Sequence, residues 1–236
     1  MHQLPLAVQL RASSVFASFL PGANQTAVSL LQDLAQTGPS PVVFLYGPQG
    51  VGKTHLLQAL CARAGEQQQT ATYLPLRELQ AYGPELLTGL ERNSLLCIDD
   101  VGSVLQQAEW NRALFNIHRE LEEHGGKLVL ADEQPPAAQP FALRDLASRV
   151  LAGTVLRLQH LNEDEQLAAL RLHATQRGLE LPDDTATFVL RRLPRDMGTL
   201  CAFLDELDEA SLAAQRKLTV PFVREVLERK RVVSSE

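Results

Sequence analysis

The apolar run Val42-Val43-Phe44-Leu45-Tyr46 breaks into Gly47-Pro48-Gln49-Gly50-Val51-Gly52-Lys53-Thr54, and this junction constrains the fold more than any other stretch. The octet reads G-x-x-x-x-G-K-T. Small residues let consecutive backbone N–H groups curl around a phosphate, and a following helix points its positive end at the same anion. The spacing assigns Lys53 to the β- and γ-phosphates and the Thr54 hydroxyl to Mg²⁺. Glycines alone would make only a turn. Here a buried-type strand precedes the octet and His55-Leu56-Leu57-Gln58-Ala59-Leu60 continues as a helix, which is the context a phosphate loop requires. Gly47, Gln49, Gly50, Val51, Gly52, Lys53, Thr54 and His55 are therefore the candidate phosphate-binding residues.

Around this loop the chain alternates strand and helix. A helix spans Gln25 to about Gln36 and stops at Gly38-Pro39, after an irregular stretch from Phe16 to Asn24. Thr70 to Leu74 reads as a second strand, Leu95 to Ile98 as a third and Leu128 to Ala131 as a fourth. Between the last two, Gln107 to His124 places Trp110, Leu114, Ile117 and Leu121 on one helical face and ends at Gly125-Gly126. A short helix, Leu143 to Ser148, leads to a fifth strand near Val155 to Leu158. Strands separated by helices imply a parallel sheet covered on both faces.

After His160 the pattern is helix upon helix. Asn162 and Glu165 form a capping box for a helix to about Arg177, and Gly178 ends it. Pro182 suits the first turn of the next, to about Leu193. A third covers roughly Asp196 to Arg216, and Thr219 caps a fourth that ends in Arg229-Lys230-Arg231, a basic run suited to the negative end of its own helix. The expected domains are an extended tail, 1–12, a nucleotide-binding base, 13–160, and a helical lid, 161–236.

The 236 residues carry a formal charge of −6, which argues against a chain whose main work is neutralising nucleic-acid phosphates. Cys61, Cys97 and Cys201 lie far apart with no C-x-x-C pairing, so they read as core thiols of a reduced, cytoplasmic protein. The six histidines show no metal-ligand spacing. No run reaches the ~18 apolar residues of a membrane span.

Asp99-Asp100 closes an apolar strand, where a carboxylate lies beside the phosphates of a neighbouring loop. Asp99 is the candidate Mg²⁺ ligand and Asp100 the candidate for orienting the attacking water. Asp132, at the next strand end, suits a γ-phosphate sensor or a turn cap. Arg149 reads on its own as a solvated charge after the sheet helix, and Arg195 either as a phosphate contact from the lid or as part of a basic surface with Arg191 and Arg192. Gln3-Leu4-Pro5-Leu6 reads first as cover for the chain's own core, and second as an extended segment offered to a groove on another protein.

Taken in order, the loop, the Asp-Asp strand, Asp132-Glu133-Gln134-Pro135-Pro136, Ser148-Arg149 and Arg195-Asp196-Met197 resemble the AAA+ ATPases, specifically those related to the bacterial initiator DnaA, and among them the regulators that inactivate DnaA. The resemblance runs from Gln3 to about Leu227 and implies a P-loop AAA+ module, a five-stranded parallel sheet followed by a small all-helical lid. It implies that Phe19, Leu20, Gly22 and Asn24 pack around adenine, that Asp132 and Arg195 are sensors 1 and 2, and that Arg149 is an arginine finger acting on nucleotide held by a neighbouring subunit. It also turns Gln3, Leu4, Pro5 and Leu6 into a docking motif for the β sliding clamp of DNA polymerase III.

Three departures from the initiator pattern stand out. The chain ends after the lid, without the initiator's helix-turn-helix domain, and Pro75 to Ser94 is shorter than the region of its DNA-contacting insertion. Glu133 stands where the initiator pattern often has Arg. The resemblance thus implies an ADP- or ATP-bound, Mg²⁺-dependent regulator with weak hydrolysis of its own. Its partners are DnaA and the clamp, with DNA reached through the clamp and no membrane contact. It is compatible with a homodimer. The rival expectations are an autonomous AAA+ motor, such as a helicase loader, and a DNA-binding initiator fragment.

Overall fold

The computed structural model describes residues 14–34, 42–194 and 196–233, and the chain separates into two compact units, Met1–Gln159 and His160–Glu236. In the first, β1 (Val42–Tyr46), β2 (Ala71–Pro75), β3 (Leu95–Asp99), β4 (Lys127–Asp132) and β5 (Thr154–Arg157) form a parallel sheet in the order β2-β3-β4-β1-β5. Its helices are α1 (Gln25–Leu34), α2 (Lys53–Glu66), α3 (Leu76–Leu79), α4 (Ala108–Glu123) and α5 (Arg144–Ala152).

Every parallel connection must cross over, so helices cover both faces and the strands are apolar on both sides. Alternate residues supply the two cores. Val43, Leu45, Cys97, Val129 and Ala131 pack with Leu31 of α1 and with Leu56, Leu57 and Leu60 of α2. Val42, Phe44, Leu96, Ile98, Leu128 and Leu130 pack with Trp110, Leu114, Ile117 and Leu121 of α4 and with Leu146 and Val150 of α5. Because β4 lies between β1 and β3, the carboxyl ends of all three fall along one edge, where ligands of open α/β sheets bind.

Local differences from the expected elements have simple causes. α5 runs one turn past Ser148, because Val150 is buried four residues after Leu146 and extends the apolar face until Gly153. Arg149 therefore stands in the last turn of that helix rather than after it. The fifth strand begins at Thr154, a residue before the expected Val155. Pro75 to Ser94 contains α3 and two 3-10 turns, and Phe16–Ser18 and Gly22–Asn24 form two more.

The second unit contains α6 (Glu163–Gln176), α7 (Asp183–Arg192), α8 (Met197–Ala214) and α9 (Val220–Val233). The capping box forms: Glu165 N–H donates to Asn162 Oδ1 at 2.9 Å, and Asn162 N–H to Glu165 Oε2 at 2.8 Å. Pro182 is the residue before α7, not in its first turn, because its ψ of 154° is extended. The first turn is taken by Asp183 and Asp184, whose charge suits that end. α8 stops at Ala214, where Gln215 enters the left-handed region at φ 52°, short of the expected Arg216. Leu170, Val189, Leu200, Phe203, Leu204 and Val223 form the core of this unit. Among the described residues no helix is long and apolar enough to cross a membrane.

Candidate nucleotide site

β1 delivers the chain to the carboxyl edge, and the loop from Gly47 to Gly52 turns it into α2. Gly52 has φ +96°, and a Cβ there would lie 2.5 Å from Phe19 Cε2, so both backbone and ring demand glycine. Lys53 opens α2 and folds back over the loop, donating to Gly47 O at 2.7 Å and Pro48 O at 2.9 Å. Its side chain is buried. Desolvation pulls the ammonium below the usual lysine range, opposed by the fields of Asp99, Glu133, Asp100 and Asp132.

Thr54 and Asp99 meet at the carboxyl edge: Thr54 Oγ1 donates to Asp99 Oδ2 at 2.6 Å. The same oxygen accepts the Tyr73 hydroxyl at 3.1 Å, and Oδ1 accepts the Asp100 N–H at 3.1 Å. Asp100 itself is left-handed, with φ 52° and ψ 43°. Burial, then the neighbouring Asp99, push its carboxyl above the usual range, and Arg77 from α3 counters them through an ion pair at 3.2 Å. Arg77 also reaches Glu133 at 3.8 Å, so the cation beside Glu133 comes from α3.

The Asp132 carboxylate works first as a cap. It accepts N–H donors from Gly102 and, at 2.6 Å, from Glu133, tying the end of β4 to the turn after β3. Beyond the loop, the Phe19 ring lies 5.5 Å from that of His55, tilted by 51°. His55 Nε2 lies 3.0 Å from Val15 O and 3.2 Å from Ser18 Oγ. Burial holds the imidazole below the usual histidine range. Asn24 is buried and bonded to Gln159, while Leu20 and Gly22 are half-buried in the same segment.

Arg149 stands apart from this edge. Its helix ends where β5 begins, so it lies toward the amino ends of the strands, as does Glu122 in the last turn of α4. The two side chains pair at 3.5 Å, and the guanidinium sits 5.2 Å from the centroid of Phe115. Gln3, Leu4, Pro5, Leu6 and Arg195 lie outside the described residues. Sequence reasoning missed Tyr73, Arg77, Phe115 and Glu122 as site neighbours, since none belongs to a spacing motif and only the tertiary fold brings them in.

A glycine loop with a buried ammonium fits a polyphosphate. Four nearby carboxylates would repel that anion unless a divalent cation came with it. Among the described residues no group of three or more His, Cys, Asp or Glu side chains could hold a metal unaided. The arrangement suits Mg²⁺, which takes one or two protein ligands plus phosphate oxygens.

Residues 10–157 match the family model described as bacterial DnaA ATPase domain, and residues 163–227 match the model described as Hda, lid domain. Domain III of the Thermotoga maritima replication initiation protein DnaA is similar in structure, with TM-score 0.79 at 21% identity over 94% of this chain and 98% of that one. DnaA of Aquifex aeolicus, solved bound to AMPPCP, gives TM-score 0.74 at 19% identity over 94% of this chain and 71% of that one. The Holliday-junction branch migration motor RuvB of Thermotoga maritima gives 0.61 at 17% identity, covering 86% of this chain and 67% of that one.

Proposed function

The chain belongs to the Hda/DnaA-related AAA+ family, and from that premise we propose that it is a nucleotide-bound regulator of replication initiation that stimulates hydrolysis of ATP held by DnaA. Its own loop binds ADP or ATP with Mg²⁺: the backbone of Gly50 to Thr54 and the Lys53 ammonium take the phosphates, Thr54 and Asp99 the metal. Phe19, Leu20, Gly22 and Asn24 take the base, and Arg195 is the candidate sensor 2 arginine. Bound Mg²⁺ would neutralise the phosphate oxygens that face Asp99 and Asp100. Gln3 to Leu6 dock the protein, which acts in the cytoplasm, on the DNA-loaded β clamp.

The observation that carries this reading is the separation of Arg149 from the chain's own phosphate loop. β4 has six residues, and at ~3.3 Å per residue the amino and carboxyl edges of the sheet stand roughly 20 Å apart. An arginine at the amino edge cannot serve a phosphate at the carboxyl edge of the same sheet. It can serve one presented by a neighbouring molecule, and such a finger is worth ~10³–10⁵ in rate.

The test is single-round hydrolysis of ATP preloaded on DnaA in the presence of clamp-loaded DNA. Wild-type protein should convert DnaA-ATP to DnaA-ADP, and Arg149→Ala should not; undiminished conversion by the variant would remove the finger role. The autonomous-motor reading draws on the presence of Asp99, Asp100 and Asp132 beside the chain's own loop. Turnover measured without DnaA or clamp separates the two, because a regulator of this kind binds nucleotide and turns it over slowly.

A further inference from the structure

We infer that Tyr73 is a positioning residue for the metal, holding the Asp99 carboxylate in the orientation that Mg²⁺-nucleotide requires; this rests on the reading of the loop as a nucleotide site. Asp99 Oδ2 accepts two hydroxyls, Thr54 at 2.6 Å and Tyr73 at 3.1 Å. The two are not equivalent. Thr54 belongs to the phosphate loop, and its oxygen would itself help hold the cation, so its hydroxyl would not be the group that orients the carboxylate when metal is bound. Tyr73 comes from β2, across the β2–β3 pairing that sets it opposite Cys97, and its hydroxyl leaves one lone pair of Oδ2 for the metal.

The tyrosine is itself fixed. It is buried in the core on the α2 face of the sheet, packed with Leu56, Leu57 and Leu60 of that helix. Tyr73 therefore ties the strand-end carboxylate to the core beneath the helix of the phosphate loop. A buried phenol that donates to a charged acceptor fixes the rotamer of that acceptor at little entropic cost, since the ring is already immobilised by packing.

The experiment is binding of a fluorescent ADP analogue to the full chain, with Mg²⁺ and with EDTA. Tyr73→Phe should leave the EDTA affinity unchanged and reduce the Mg²⁺-dependent gain roughly tenfold, as expected for one lost hydrogen bond to a charged group. In an Asp99→Asn background the same substitution should change nothing further. A full Mg²⁺ gain in Tyr73→Phe, or an equal loss in both conditions, would overturn the assignment and leave the nucleotide site standing. Wild type with no Mg²⁺ gain at all would remove the metal reading itself. Should Tyr73→Phe not fold, replacement of Tyr73 by 3-fluorotyrosine carries the test: it keeps the ring and makes the hydroxyl a stronger donor, so the Mg²⁺ gain should rise with the EDTA affinity unchanged, and an unchanged gain counts against the inference.

Discussion

Asn24 and Gln159, 135 residues apart, are joined by a pair of hydrogen bonds: Asn24 Nδ2 donates to Gln159 O at 2.9 Å, and Gln159 N–H donates to Asn24 Oδ1 at 2.8 Å. The side-chain amide thus completes the backbone of a residue just past β5, as a neighbouring strand would. It pins the segment proposed to hold the base against the end of the sheet.

Asn24→Leu keeps the branched shape of the side chain and removes both bonds, leaving a partly buried N–H and C=O without partners. It should cost about 2–4 kcal/mol in chemical denaturation. It should weaken nucleotide binding more than Leu20→Ala does, because it releases the whole segment. A loss under about 0.5 kcal/mol would mean that water replaces the bridge fully.

Gly102→Ala tests the tie between β3 and β4. A Cβ at position 102 would run into the Asp132 carboxylate, whose Oδ2 now accepts the Gly102 N–H. The carboxylate must rotate away, and the turn after Asp100 must move with it. The expected result is a loss of about 1–3 kcal/mol in stability, the range for overpacking, and weaker discrimination between ATP and ADP in binding titrations.

His55 predicts a pH dependence. Burial holds its folded pKa below the ordinary histidine value of 6.5, so the imidazole protonates less readily in the folded state than in the unfolded one. The unfolded chain then binds more protons between the two values. Stability from this group is present above 6.5 and declines as the pH falls toward the folded value. His118 shifts the same way, by burial first. Melting temperature measured from about pH 8 down to about pH 5 should fall, and His55→Phe should flatten part of that slope. An unchanged slope would locate the effect elsewhere.

Glu122→Ala should leave stability within about 0.5 kcal/mol, since the Arg149 pair is exposed at both ends and such pairs contribute little. Its effect should be on function. Freed of a competing carboxylate, Arg149 is more available to phosphate, and DnaA-ATP conversion should rise a few-fold over wild type. A fall would show that Glu122 aims the guanidinium rather than competing for it.

The phosphate loop, the strand-end acids and the two-layer covering of the sheet were legible in the residues. Each depends on local chemistry: a glycine pattern between strand and helix, a carboxylate after an apolar run, an apolar face at helical spacing. Trp110, Leu114, Ile117 and Leu121 are all buried, as that spacing requires. The end of α5 was not legible, because Arg149 is polar and Val150 reveals itself as core only once the sheet face beneath it is placed. Nor was Asn111, a buried amide on an apolar helix that donates to Leu105 O at 2.8 Å and accepts the Leu143 N–H at 3.2 Å.

By itself, then, the sequence determined the strands and the longer helices and set a glycine-rich loop between β1 and α2, because those properties follow from periodicity and short-range spacing. Strand order was decided only in the tertiary structure. By setting β4 between β1 and β3 it brings Lys53, Asp99 and Asp132 to one edge, and by leading α5 back to the start of β5 it leaves Arg149 at the other. Long-range packing alone fixes that arrangement, since parallel strands can pair only after a crossover, and the order of crossovers is settled by which covered faces bury most apolar surface.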